Sequence, residues 1–70
     1  MTINVTKTGE KINKLRKENK ISVAKLQDML GVGMQAIYHW EQGRTLPSID
    51  NLVELSRIFN VKIEDILFVE

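Results

Sequence analysis

His39 and Glu41 stand two places apart in Ile37-Tyr-His-Trp-Glu-Gln-Gly-Arg-Thr-Leu-Pro47, which also sets Tyr38, His39 and Trp40 in a row. An imidazole near a carboxylate is a starting point for general acid–base catalysis or for metal ligation. Both need more convergent groups than this pair supplies. The chain has one histidine and no cysteine, so a metal centre would require several carboxylates around His39. Residues two apart on a helix also point to different faces. No glycine-rich phosphate loop and no paired-carboxylate arrangement accompanies them. The residues therefore weigh against an enzyme and imply neither a metal nor a cofactor. Geometry remains as the explanation for the ring cluster.

The elements that must hold this stretch are short helices. The 70 residues, 43% of them hydrophobic, amount to one small domain near the lower size limit for a self-supporting core. Ile12, Leu15, Arg16 and Asn19 recur at helical spacing, with Thr8 as the expected N-cap. Ser22 is expected to cap a second helix that carries Val23, Leu26 and Leu30 and stops at Gly31. A third helix is predicted from Met34 to Gln42, ended by Gly43. Pro47-Ser48 opens a fourth, with Ile49, Leu52, Val53 and Ser56 facing inward and Asp50 well placed in its first turn. Ile63, Ile66 and Leu67 mark a last short helix. The expected fold is all-α: four or five short helices in one compact domain over residues 9–67, with an arm at 1–8 and a tail at 68–70. Ile3 and Val5 alternate like a strand, but residues 1–7 are read as a disordered arm outside the helices.

Net charge is only +1, yet its distribution is uneven. Residues 1–25 carry Lys7, Lys11, Lys14, Arg16, Lys17, Lys20 and Lys25 against Glu10 and Glu18, a local charge of +5. Residues 45–70 carry Arg57 and Lys62 against Asp50, Glu54, Glu64, Asp65 and Glu70, a local charge of −3. The folded domain should have a positive and a negative side. No apolar run approaches a membrane-spanning length, and the N-terminus lacks the apolar stretch of a signal peptide. Together with the absence of cysteine, this makes a cytoplasmic location the expectation.

On the third helix, Met34, Ile37, Trp40 and Glu41 share one side, and Gln35, Tyr38, His39 and Gln42 share the other. Trp40 is thus predicted to be core, while Tyr38 and His39 face out beside two glutamines. Glutamine pairs with the edge of adenine, histidine donates to guanine acceptors, and tyrosine suits phosphates or thymine methyls. Leu30-Gly-Val-Gly33 joins the second and third helices by a turn short enough to set them at a steep angle.

At this point the sequence resembles the phage repressor and Cro-like (Xre-type) helix-turn-helix family from about Gly9 to Leu67. The resemblance is carried by Ile12-Asn-Lys-Leu-Arg16, Ile21-Ser-Val-Ala-Lys-Leu26, Met29-Leu-Gly-Val32, Ile37-Tyr-His-Trp-Glu-Gln-Gly43, Pro47-Ser-Ile49 and Leu55-Ser-Arg-Ile-Phe59. It implies a five-helix, lambda-repressor-like fold whose third helix enters the DNA major groove. By position, Leu26, Leu30, Val32, Ile37 and Trp40 match packing places. Met34, Gln35 and His39 match base-contacting places, with Tyr38 at the edge. Ser22 and Val23 at the start of the second helix, and Gln42, Arg44 and Thr45 in the turn after the third, match phosphate-contacting places. Arg16 and Glu41 match a family ion pair, and their inward positions call for a partner independently.

This chain departs from the family pattern at several of those places. Val23 replaces a frequent phosphate-gripping glutamine, and Gln27 replaces a small residue against the third helix. Gly33 stands where a Ser or Thr cap is usual, and Met34 offers only apolar contact. Asn60 and Lys62 replace a glycine and a serine cap between the last two helices.

The resemblance implies a sequence-specific transcriptional regulator, in the simplest case a repressor acting by occupying a DNA operator. The alternative is an antitoxin-like module that binds protein through the same fold without reading bases. One recognition helix covers few base pairs, so a homodimer on a palindromic operator is expected. The segment Ile66-Leu-Phe-Val69 is the expected contact, with Phe68 meeting its counterpart. The other reading of this tail has Ile66 and Leu67 closing the core while Phe68 and Val69 fray.

Overall fold

The computed structural model describes residues 1–70, and the chain forms α1 (Val5–Glu18), α2 (Val23–Leu30), α3 (Met34–Glu41), α4 (Ile49–Phe59) and α5 (Ile63–Ile66). The start and stop chemistry of the middle helices is local. Ser22 Oγ accepts the Lys25 N–H at 3.0 Å, and Ser48 Oγ accepts the Asn51 N–H at 3.3 Å, so each hydroxyl satisfies a donor that its helix leaves open. Gly33 caps α3 with no side chain to offer. Past the end of α3, Gly43 adopts φ 76°, with Gly43 N–H donating to Trp40 O at 3.1 Å and Arg44 N–H to His39 O at 2.9 Å. That pair of bonds is a Schellman closure. Asn60, at φ 56°, closes α4 in the same way, asparagine being one of the few side chains tolerated there. Lys62 precedes α5 as its cap, but only its backbone takes part, donating to Asp65 Oδ2 at 3.1 Å.

One core gathers a buried face from every helix: Ile12 of α1, Val23 and Leu26 of α2, Ile37 and Trp40 of α3, Leu52, Leu55 and Phe59 of α4, and Ile66 of α5. Leu15, Leu30, Val32, Ile63 and Leu67 pack around it. None of the helices is long and apolar enough to cross a membrane.

Three sequence expectations are corrected. First, α1 begins at Val5, not after Thr8. Asn4 is its cap, accepting the Lys7 N–H at 2.9 Å, and Thr8 is fully buried inside the helix. Second, residues 1–4 are not a free arm. Ile3 bridges Val69 in antiparallel fashion, Thr2 and Glu70 exchange backbone bonds of 3.0 and 2.8 Å, and Asn4 N–H donates to Phe68 O at 2.8 Å. The tail is tied down as well: Phe68 N–H donates to Thr8 Oγ1 at 2.9 Å, so the backbone there does not fray. Third, Ile49 does not face inward. It is 77% exposed in the first turn of α4, below the level at which Leu52, Leu55 and Phe59 reach the core.

Two glycines set how closely α1 approaches the end of α3. A Cβ on Gly9 would lie 2.1 Å from Trp40 O, and one on Gly43 would lie 2.8 Å from the Thr6 Cα. Both obstacles are backbone, which yields less readily than a side chain. At that crossing sits an ion pair. Arg16 Nε donates to Glu41 Oε2 at 2.7 Å and Nη2 to Oε1 at 3.1 Å, while Nη1 donates to Ile21 O at 2.9 Å. Asn13 Nδ2 adds a 2.7 Å bond to Glu41 Oε1. The side chains are 12% and 7% exposed, so water does little to screen them. The hydrogen bonds that Arg16 donates to Glu41 raise the Arg16 pKa above its ordinary value, against the opposing effect of burial. A raised base pKa stabilises the fold at every pH below the ordinary guanidinium value and is lost only above it, so the pair persists through the physiological range.

Removing one partner strands the other in a poorly hydrated site at a cost of roughly 3–5 kcal/mol, which approaches the whole stability of a chain this short. Arg16→Met or Glu41→Leu should therefore be largely unfolded in mild urea, and the double variant should recover a substantial part of the loss. Chemical denaturation followed by circular dichroism checks this. A double variant whose loss equals the sum of the singles would contradict a coupled pair.

Candidate nucleic-acid interface

The clamp leaves α3 with one face inside and one outside. Ile37 and Trp40 are buried, and Glu41 is turned into the ion pair with Arg16. His39 and Glu41, two places apart in the motif, thus point to different surroundings and form no shared centre. Gln35 and Tyr38 are exposed, the latter by 44%, and His39 is half-buried beside them. Four residues of helix separate Gln35 from His39 by ~6 Å along the axis, about one turn, so both project from the same side. Met34 was grouped with the inward residues by spacing, but it lies in the first turn and is 37% exposed, at the same edge as Gln35. Gln42, the expected fourth member of the outward row, follows the last helical residue as the C-cap and is exposed.

Flanking this face are groups of a second kind. Ser22 caps α2 with an extended backbone and is exposed, while the Val23 side chain is buried. Only the backbone of Val23 can therefore meet a ligand, so the side-chain grip that a glutamine would add is absent here. The N–H groups of the first turn of α2 have no carbonyl behind them and form an electropositive end suited to an anion. Gln42, Arg44 and Thr45 are exposed in the turn after α3, held by the Gly43 closure. An array of base-matching side chains bordered by backbone donors and one guanidinium can hydrogen-bond base edges and phosphates at once.

Sequence reasoning missed four contributors to this arrangement. Gly9 and Asn13 position the end of α3 from α1, and Asn4 and Thr8 fix the start of α1 through the C-terminal segment. Asn4 followed three residues later by the first free helical N–H is a legible cap. The roles of Gly9, Asn13 and Thr8 depend on partners far along the chain.

Comparison with protein families matches residues 12–66 to the helix-turn-helix family. Repressor protein C2 of Salmonella phage P22 is 42% identical over 55 residues, covering 79% of this chain and 26% of that protein. The HTH-type transcriptional activator BcrR of Enterococcus faecalis is 33% identical over 59 residues, covering 84% of this chain and 29% of that protein. The chain thus spans between a quarter and a third of the length of these two relatives. Among solved structures, the restriction-modification controller protein C.AhdI of Aeromonas hydrophila superposes with a TM-score of 0.79 at 19% identity, over 89% of this chain and 94% of that one; it supports the fold alone. The P22 c2 repressor, solved in complex with a synthetic operator, superposes with a TM-score of 0.80 at 38% identity, over 86% of this chain and 91% of that one. With its matched segment running from α1 to α5, the chain belongs to the Xre-like helix-turn-helix family.

Proposed function

We propose that this chain is a sequence-specific DNA-binding transcriptional regulator that acts in the cytoplasm without catalysing a reaction. The observation that carries the reading is the two-sided α3. Its inner face is locked by Ile37, Trp40 and the Glu41 clamp, and its outer face offers uncharged hydrogen-bonding side chains. The 38% identical P22 repressor was solved on an operator, which supports the same use of this surface. In the proposed complex α3 lies in the major groove. Gln35 and His39 contact base edges, Met34 and Tyr38 offer contact at the margins, and Ser22, Val23, Gln42, Arg44 and Thr45 hold the sugar-phosphate backbone. A net charge of +1 leaves little non-specific attraction, so affinity must come from placed contacts.

The simplest regulatory action is repression by occupying the operator. A homodimer on a palindrome would double a footprint that is short for one helix, with the two α3 helices ~34 Å apart. The Phe68-to-Phe68 contact expected from sequence would be made by the half-buried ring alone, since the Phe68 backbone is bonded to Thr8 and Asn4 of its own chain.

Selection of binding sites from random DNA with the purified chain should return a defined, two-fold sequence. Gln35→Ala and His39→Ala should each weaken binding to that site by roughly 1–3 kcal/mol and relax the preference at one base pair. Wild-type affinity and preference in both variants would remove these residues from the base-reading role. Arg44→Ala should behave differently, weakening binding about equally on all sequences and lowering the slope of affinity against salt by about one unit. A loss restricted to the selected site would contradict a phosphate contact.

A further inference from the structure

A second charged surface lies on α1, on the side roughly opposite Gly9 and its contact with α3. Lys7, Lys11 and Lys14 follow at i, i+4 and i+7, a row of ammonium groups along ~10 Å of helix. The C-terminal segment forms the floor beside them, and Lys7, Glu10, Lys11, Lys14 and Phe68 line a cavity of about 300 Å³. The Phe68 ring is half-buried, with the Lys7 Nζ 4.7 Å from its centroid. Its backbone is held on both sides, by Thr8 Oγ1 at 2.9 Å and the Asn4 N–H at 2.8 Å, so the ring is presented on a fixed support. None of the three lysines is in an ion pair, although Glu10 is three residues from Lys7 and four from Lys14; the chain's ion pairs are Arg16–Glu41 and Arg57–Glu54.

We propose that this face docks an acidic segment of a partner protein, with carboxylates against Lys7, Lys11 and Lys14 and an apolar side chain against Phe68. Charge complementarity sets the sign of the partner, since like charges in a row are relieved by carboxylates between them. The nature of the floor favours a peptide over nucleic acid. A duplex phosphate backbone has no apolar group to set against the Phe68 ring, whereas a peptide can place an apolar side chain there between its carboxylates, and Glu10 in the rim can accept a peptide N–H. On α1 the three lysines lie opposite Gly9, which packs against the end of α3, so the two surfaces are separate on this helix. The chain could then hold DNA and a partner protein together.

The test is fluorescence anisotropy of a short labelled peptide alternating Asp, Glu and Leu, compared with one of equal charge carrying Ser for Leu. The chain should bind the Leu peptide more tightly. The combined substitution Lys7→Gln, Lys11→Gln and Lys14→Gln should weaken it about tenfold, the sum of three modest exposed ion pairs. A charge-matched control, Lys17→Gln with Lys20→Gln and Lys25→Gln, should retain binding. Phe68→Ala should lower affinity for the Leu peptide and leave the Ser peptide unchanged. Equal loss in the control, or equal affinity for the two peptides, overturns the proposal. Complete removal of the peptide by saturating duplex DNA would assign the face to nucleic acid and overturn it too. Retention of the peptide on the DNA-bound chain supports it. Failure of the chain to bind any DNA would count against the function proposed above, and the peptide titration would still decide this one.

Discussion

The geometry of the molecule depends on the bidentate ion pair between Arg16 and Glu41. Three elements meet there: the second half of α1, the turn into α2 through Ile21 O, and the last residue of α3. Burying two charges is costly unless every donor and acceptor finds a partner. Here Asn13 completes the carboxylate and the Ile21 carbonyl completes the guanidinium. The pair is thus better understood as a device for position than as a source of net stability. Apolar residues of similar size could stabilise the crossing as well, but they would not specify the rotation of α3 about its own axis. That rotation decides whether Gln35 and His39 face outward.

The pair can form only because the helices approach unusually closely. Gly9 brings the α1 backbone against the Trp40 carbonyl, and Gly43, in its left-handed conformation, packs against Thr6. The same Gly43 ends α3 and turns the chain so that Arg44 and Thr45 are exposed next to the helix. A single glycine therefore links the packing of α1 on α3 to the placement of the proposed phosphate contacts. With little net charge to draw a polyanion non-specifically, such placement is what gives the surface its selectivity in this account.

The middle of the chain was legible in the sequence because its signals are local. Ser22, Gly31, Gly43 and Ser48 each act within a few residues of where they stand, and the boundaries of α2, α3 and α4 follow from them. The division of α3 into a Trp40 side and a Gln35 side came from period alone. The ends of the chain were misread because their chemistry is non-local. Thr8 looks like a cap, yet its hydroxyl serves Phe68, sixty residues away, and the helix starts earlier at Asn4. Ile3 and Val5 alternate like a strand, and Ile3 does make a bridge, but its partner is Val69 and no periodic pattern announces that pairing. Ile49 fits the helical stripe of α4 but falls one turn outside the core, which period cannot reveal because it reports direction and not depth. The likeness to repressors supplied the roles of individual residues on α3, which hydrogen-bonding capacity alone would have left as a polar surface.

The central claim is that the outer face of α3, with the start of α2 and the turn after α3, is the surface that receives DNA. Nuclear magnetic resonance of the labelled chain, titrated with a duplex chosen by selection, tests it most directly. The account predicts that the largest amide shifts fall on Gln35 to His39, on Ser22 to Ala24 and on Gly43 to Thr45, while Glu64 and Asp65 of α5 stay near their free positions. Shifts centred on α4 and α5, with the α3 face unchanged, would contradict it.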